Sequence, residues 1–246
     1  LNINIEDNRV LYLRLKNTDR KTKKLSVVFG DMEKSKLIIF NSILDNIDIH
    51  IKSSKIKNNN LNISPKYNEN LLTGCLTILD SKVNKINLFS DGTACEDDIN
   101  LIRTEGNIES IQIKNSQFDA IDLDFSKIKI DKIKIENAGN DCIDLSYGTY
   151  EILDAHLVNC KDKGISVGEK SLFIGENIKV KNSNTALANK DDSISYIKQI
   201  ISKNNNYCIS NYNKKTEFGL GYIYIVDKNC YQNNLENISL ISKKDF

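Results

Sequence analysis

Residues 118–168 read FDAIDLDFSKIKIDKIKIENAGNDCIDLSYGTYEILDAHLVNCKDKGISVG. An aliphatic residue recurs in this stretch every 22 positions, and the recurrence continues on both sides of it. The members of this aliphatic column are Ile99, Ile121, Ile143, Ile165, Leu187 and Ile209. A repeat of about 20 to 50 residues is typical of a solenoid, because one unit cannot bury its own apolar face and becomes stable by stacking on its copies.

Each repeat contains two short strand signals. Two positions after the aliphatic column the residue is again aliphatic in most units, and this Ile-x-Leu alternation predicts a strand with one buried face. A second alternating segment, such as Ile133-Lys134-Ile135, ends in Asn in successive units. Asn tolerates left-handed backbone and hydrogen-bonds its own main chain, which indicates a corner. The Asn residues of this corner are Asn115, Asn137, Asn159 and Asn182.

Short strands joined by corners, with one coil per about 22 residues, predict an all-β fold, a right-handed parallel β-helix. Each strand would pair with its counterparts one coil above and below. A leucine-rich repeat would need its leucine and asparagine consensus, and a propeller blade would need roughly twice the length. The left-handed hexapeptide form is disfavoured because the Asn corners, 22 residues apart elsewhere, are 23 apart between Asn159 and Asn182.

Length and composition favour one elongated domain over residues 1–246. We expect irregular N-terminal coils or a cap over 1–75, regular coils over 76–225 and a C-terminal coil or cap over 226–246. A net charge of +1 argues against a nucleic-acid partner, since phosphate binding relies on an excess of Lys and Arg. No stretch approaches the roughly 20 apolar residues of a membrane span. The chain opens on Leu1 rather than Met, which indicates a processed or trimmed start, and we expect a secreted or cell-surface location.

The six cysteines form no metal-binding pattern, because none are paired as Cys-x-x-Cys and the chain has only two histidines. Cys142 and Cys208 share a column but are three coils apart, roughly 14 Å at about 4.8 Å per coil, which is too far for a disulfide. Cys208 and Cys230 are one period apart, and a bond between them stays open. We expect most of the cysteines to be buried free thiols.

Charged residues also fall into columns, and these columns are the candidate site. Two positions before the aliphatic residue stand Asp97, Asp119, Asp141 and Lys163, and one position after it stand Asn100, Asp122 and Asp144. Carboxylates about 4.8 Å apart on adjacent coils repel, so that one should titrate high. One protonated and one ionised carboxyl is what acid–base work on a glycosidic bond requires.

We therefore assign Asp119, Asp141 and Lys163 as candidate catalytic residues. The candidate substrate-binding residues are Asp122, Asp144, Glu169, Lys190 and Lys214. We expect no cofactor and no metal ligand set. Two alternatives stay open for the dense run of aspartates from 119 to 144: it would hold a divalent cation such as calcium, or it would only make solvated turns.

Four strings resemble, in their order, the motifs of the polygalacturonase β-helices, which are Asn-Thr-Asp, Asp-Asp-Cys, His-Gly-x-Ser-Ile-Gly and Arg-Ile-Lys. The strings here are 118–122 (FDAID), 140–143 (NDCI), 163–168 (KGISVG) and 187–190 (LANK). The resemblance implies that Asp119 and Asp141 activate water and that Lys190 contacts a uronate carboxyl group. The family's general acid is replaced by Asn140, its His by Lys163 and its Arg by Ala188, which argues against ordinary pectin hydrolysis.

Residues from about 90 to 225 also resemble bacterial right-handed β-helix repeat proteins. The shared strings are DKGISVGEKS at 162–171, KDDS at 190–193 and YNKKTEFG at 212–219. This resemblance implies architecture and carries no reaction with it.

Three classes of function follow from these patterns. The first is an enzyme that acts on a polysaccharide or surface glycan containing uronate, as a lyase or epimerase with Lys163 or Lys190 as base, or as a hydrolase. The second is a glycan-binding or adhesion module that uses the same groove without turnover. The third is a structural spike. Oligomeric state, sugar and linkage are not specified by the sequence.

Overall fold

The computed structural model describes residues 1–6, 9–17, 23–30, 35–53, 70–93, 95–231 and, as backbone, 240–242. All regular elements in these residues are β-strands, and no helix among them could cross a membrane. The strands in chain order are β1 (Asn2–Ile5), β2 (Val10–Leu13), β3 (Lys16–Asn17), β4 (Lys23–Phe29), β5 (Lys36–Phe40), β6 (Ile43–Asp45), β7 (Ile47–Ser53), β8 (Gly74–Leu79), β9 (Lys82–Asp91), β10 (Asp97–Ile102), β11 (Glu105–Ser116), β12 (Asp119–Asp124), β13 (Lys127–Ala138), β14 (Ile143–Ser146), β15 (Thr149–Cys160), β16 (Lys163–Gly168), β17 (Leu172–Lys181), β18 (Thr185–Lys190), β19 (Ile194–Lys203), β20 (Tyr207–Asn213), β21 (Tyr222–Tyr231) and β22 (Leu240–Ser242).

The strands form two parallel sheets. The first sheet runs β1-β4-β7-β9-β11-β13-β15-β17-β19-β21, with β3 and β6 beside this path. The second sheet runs β2-β5-β8-β10-β12-β14-β16-β18-β20-β22. Because the chain alternates between the sheets, it winds into a parallel β-solenoid of about 8 turns with ~23 residues per turn. The predicted β-helix is confirmed; its hand and its division into caps and regular coils stay predictions.

The aliphatic column lies in the core, in the register that its spacing predicts. Ile99 pairs with Ile121, Ile121 with Ile143 and Ile143 with Ile165 in the second sheet, and these side chains are fully buried. The alternation Ile-x-Leu therefore turns the intervening residues away from the core, onto the outer face of the second sheet. This face carries Asp122 and Asp144.

The Asn corner forms a side-chain ladder. All five of its residues have left-handed backbone, with φ between 56° and 64°. Asn115 donates from its side-chain amide to Asp91 Oδ1 (3.0 Å), and each later amide donates to the Oδ1 of the Asn one coil before it, for example from Asn137 to Asn115 (3.0 Å) and from Asn159 to Asn137 (2.8 Å). The residues are Asn115, Asn137, Asn159, Asn182 and Asn204. Asn tolerates this left-handed backbone, and its side-chain amide also makes the hydrogen bonds of the ladder, so the same residue type serves both the turn and the stacking of coils.

The prediction of free thiols is wrong. Disulfides join Cys75 to Cys95, Cys142 to Cys160 and Cys208 to Cys230, and no cysteine is free. The prediction failed because it considered neighbours along one column. A residue directly before the aliphatic column also lies close to the end of the next strand of the first sheet. For this reason Cys142 bonds to Cys160, the last residue of β15.

Candidate functional site

Asp119, Asp141 and Lys163 form a hydrogen-bonded file across three coils, as the repeat predicts. The backbone N–H of Asp141 donates to Asp119 Oδ1 (2.7 Å), and the backbone N–H of Lys163 donates to Asp141 Oδ1 (2.9 Å). Lys163 Nζ lies 3.3 Å from Asp141 Oδ1 and also contacts Asp162. Both file carboxylates are buried, which removes them from bulk water.

Burial gives the two carboxyls of the file high and different proton affinities. Burial, together with the charge of Asp141, raises the pKa of Asp119 to about 7. Burial also raises the pKa of Asp141, to about 6, because the nearby Lys163 ammonium offsets part of the effect. Asp119 is therefore the carboxyl of the pair that keeps its proton to higher pH.

Lys163 is a fixed cation. Burial by itself would lower its pKa, but the charge of Asp141 and the hydrogen bond to Asp162 outweigh burial and raise the pKa above its ordinary value. A lysine that serves as a general base needs a lowered pKa. The arrangement argues against the expectation that Lys163 removes a proton from substrate.

Beside the file runs a polar row on the outer face of the second sheet. Asn100 pairs with Asp122, Asp122 with Asp144 and Asp144 with Ser166. Burial first, and then the charges of Asp97, Asp124 and Asp144, raise the pKa of Asp122 well above its ordinary value. Asp119, Asp141 and Asp144 are close enough for their charges to interact, so the file and the row make one acidic patch.

Several buried polar atoms of this patch have no hydrogen-bond partner among the described residues. Asp97 Oδ2, Asn100 Oδ1, Thr77 Oγ1 and Ser166 Oγ are of this kind. Thr77 and Asn100 are adjacent in the row, and Ser166 stands three coils beyond Asn100. Such atoms are costly unless a water or a ligand hydroxyl group satisfies them.

Two more lysines border the patch. Lys190 is buried, and its Nζ lies 4.0 Å from Asp144 Oδ1. The ammonium also lies beside Gly168, since a Cβ added to this glycine would be 3.7 Å from Nζ. At the opposite end Lys36 donates from Nζ to the carbonyls of Thr73 (2.8 Å) and Gly74 (3.2 Å). Burial lowers the pKa of Lys36 to about 8, against the charges of Asp97 and Glu96.

Two of the predicted substrate-binding residues, Glu169 and Lys214, are held by contacts within the protein. Glu169 accepts from Ser146 Oγ (2.7 Å) and pairs with Lys215 (2.5 Å), so both its oxygens have partners. These two contacts lower its pKa although burial opposes them. Lys214 is held through its backbone N–H, which donates to Asp191 Oδ1 (2.6 Å), and its side chain makes no ion pair with a described residue.

Sequence reasoning missed three parts of the site. Asn140, at the position of the family's general acid, donates from Nδ2 to Asp119 Oδ1 (2.7 Å) and so orients that carboxyl. Lys36 precedes the residues that show the 22-residue spacing, so the spacing gave no signal for it. Asp162 was quoted only as part of a string, yet it pairs with Lys163, and its place directly before that lysine was the available signal.

No group of three or more His, Cys, Asp or Glu side chains is arranged to hold a metal ion within the described ranges.

Comparison of the chain with known protein families, with curated proteins and with solved structures finds no match. The fold and the geometry of the acidic patch are thus what supports a function.

Proposed function

We propose that this protein binds a uronate-containing polysaccharide along the outer face of the second sheet and hydrolyses a glycosidic bond with Asp119 and Asp141. The observation that carries the proposal is the pair of buried carboxyls in one file, with pKa values of about 7 and about 6. Paired carboxyls whose environments separate their proton affinities suit the acid and base roles of such a reaction.

In this mechanism Asp119 is the acid. Its Oδ1 accepts two hydrogen bonds, from the Asn140 amide and from the Asp141 backbone N–H, both at 2.7 Å. Its Oδ2 has no hydrogen bond to any described residue and is the oxygen that carries the proton. The proton passes to the glycosidic oxygen as the bond from that oxygen to the anomeric carbon breaks.

Asp141 is the base. The Lys163 ammonium, 3.3 Å away, favours its ionised form. Asp141 takes a proton from water while the water oxygen bonds to the anomeric carbon, so that one water is consumed and two chain ends are formed. The proton then returns to Asp119 through solvent, which resets the pair.

The uronate specificity rests on Lys190 and on the resemblance to polygalacturonases. The Lys190 ammonium makes no hydrogen bond to a described residue, and it borders the patch where a substrate carboxylate would neutralise it. Asp144, whose side chain is 29% exposed, is the member of the row that would bind sugar hydroxyls. The three disulfides favour an oxidising compartment and support a secreted or cell-surface location.

The test is incubation with a panel of uronate polymers, with reducing ends and ultraviolet absorbance measured in parallel. Hydrolysis produces reducing ends without unsaturated sugars, whereas a lyase produces both. D141N should lose at least about a hundredfold in rate, the usual contribution of a general base, while keeping its fold. D131N, at an exposed position on β13, is the matched control. Tight binding without product would instead favour the non-catalytic glycan-binding module.

A further inference from the structure

A pair of stacked aromatic rings lies on the surface beside the acidic patch. Phe125 and Tyr147 occupy equivalent positions of successive coils, and their rings are parallel to within 2° with centroids 4.8 Å apart. The residues are 55% and 40% exposed. Phe218, between β20 and β21, contacts Tyr147 edge-on at 6.3 Å. We name Phe125, Tyr147 and Phe218 the aromatic shelf.

The backbone at the shelf is one that bulky residues disfavour. Phe125 and Tyr147 have φ values of 50° and 51°, in the left-handed region. The same corner carries Asn41, Asp80 and Arg103 in earlier coils, and the Asn corner uses Asn in successive coils, as local preference dictates. Core packing does not account for the aromatics, since both are exposed. Residues kept against backbone preference in this way are concentrated at ligand-binding positions.

The shelf is continuous with the candidate site. Phe125 directly follows Asp124, whose Oδ2 accepts a hydrogen bond from Asn100 Nδ2 (3.3 Å) in the polar row. Tyr147 directly follows Ser146, which donates to Glu169 (2.7 Å). A chain-like ligand that lies across the patch would therefore reach the shelf.

Positive charge surrounds the shelf. An open depression of about 640 Å³ is lined by Phe125, Tyr147, Arg103, Lys127 and Lys170 among others. Arg103 is neutralised by Asp80, with contacts of 2.6 and 2.9 Å. Glu105 also lines the depression; it pairs with Lys82 at 2.7 Å and stands opposite Lys127 on the neighbouring strand. Neither Lys127 nor Lys170 has a carboxylate of a described residue within ion-pair distance, and Lys170 Nζ lies 5.7 Å from the centre of the Phe218 ring. The depression therefore has more cations than anions, and an aromatic surface with such an excess suits a ligand that is both ring-shaped and anionic.

We propose that the aromatic shelf binds a sugar ring of an anionic glycan. The apolar C–H groups of the ring pack against Phe125 and Tyr147, and its acidic group, a carboxylate or a sulfate, lies near Lys127 and Lys170. This inference rests on the proposed glycan binding and adds a second contact region to it, outside the acid–base pair.

The test compares binding of polygalacturonate, dextran sulfate and neutral dextran to the wild-type chain and to F125N/Y147N. The first two polymers distinguish a carboxylate from a sulfate ligand. We expect the double variant to bind the preferred anionic polymer roughly tenfold or more weakly. Its melting temperature should be unchanged or higher, because Asn tolerates the left-handed backbone. The control is Y224N, at a residue 62% exposed in the first sheet, which should leave binding unchanged.

Unchanged affinity in F125N/Y147N, equally tight binding of neutral dextran, or no binding of any of the three polymers would overturn the shelf proposal. Normal binding by F125N/Y147N together with loss of turnover in D141N would disprove the shelf proposal and support the hydrolase proposal. Weak binding by F125N/Y147N, with no turnover by any form of the protein, would support the shelf proposal and disprove the hydrolase proposal. Because the chain has no Trp, F125W adds a single fluorescent reporter whose emission should shift when the anionic polymer binds.

Discussion

The carboxylate of Asp119 accepts the backbone N–H of Asp141 at 2.7 Å, one coil further along the solenoid. Two acidic residues that are 22 positions apart in the chain are thereby held side by side. Asp141 in turn accepts the backbone N–H of Lys163 at 2.9 Å. The proton affinity of each member thus depends on the charge of the next, and the predictions for the site follow from this coupling.

Activity should have a bell-shaped dependence on pH. It should fall below about 6, where Asp141 becomes protonated, and above about 7, where Asp119 loses its proton. The measurement is the initial rate of reducing-end formation across pH 4.5 to 8.5, roughly the range that spans both limbs. A flat profile through this range would contradict the pair as acid and base.

K163M should move the acidic limb of that profile to higher pH. Removing the ammonium 3.3 Å from Asp141 leaves the carboxylate without its cation, so its pKa rises. K161M, at an exposed position two residues earlier, is the control and should leave the limb in place. If both variants shift the acidic limb equally, the shift comes from the change in net charge and not from the contact between Lys163 and Asp141.

The free energy of unfolding should fall as pH rises from about 4 to about 7. Asp119 has a pKa of about 7 in the folded chain against an ordinary value of 3.8, so the folded state binds more protons over this interval. Its contribution is present in full below the unfolded pKa and is lost as pH rises through the folded pKa. A shift of this size corresponds to at most about 4 kcal/mol. Denaturant unfolding at pH 5 and pH 8 measures it, and D119N should make the difference between the two values smaller.

N137A should lower the free energy of unfolding by about 1 to 2 kcal/mol, because Ala is strained in left-handed backbone and lacks the amide. Asn137 has a φ of 64°, donates to Asn115 and accepts from Asn159. N137G keeps the backbone conformation and loses only the amide contacts, so it should cost less. N107A, at an exposed Asn outside the left-handed corners, should be close to neutral. Equal losses in N137A and N137G would assign the effect to the ladder alone.

C142A/C160A should lower the free energy of unfolding by about 3 kcal/mol, the usual effect of opening a loop of this size. The bond closes a loop with a sequence separation of 18. The fold should survive, because Ala120 stands one coil earlier in the same column as Cys142, and Ala138 pairs with Cys160. Mass analysis of the non-reduced protein checks the pairing. Stability that does not respond to reductant or to the double substitution would count against the bond.

How far the sequence predicts the site can be judged residue by residue. The column spacing correctly brought Asp119, Asp141 and Lys163 into one file, since a solenoid converts equal intervals into spatial neighbours. The spacing could not show that Lys215 and Ser146 would both bind the carboxylate of Glu169. Lys215 lies in a segment between strands, and residues of that segment do not recur at the 22-residue interval. The spacing also could not reveal Lys36, because Lys36 lies in β5, whose interval to the next strand of the second sheet is not 22 residues.

The sequence by itself determined the repeating coil of the solenoid. The 22-residue interval, the Ile-x-Leu alternation and the Asn corner each favour the same local structure in every repeat, so that local and global preferences agree. The tertiary structure alone decided the partner of each cysteine, the burial that raises the pKa values of Asp119 and Asp141, and the stacking of Phe125 on Tyr147. These features depend on how the two sheets and the corners of a coil meet. A periodic pattern specifies which residues stack along the solenoid axis, whereas contacts across a coil depend on the shape of its cross-section, which no interval along the chain encodes.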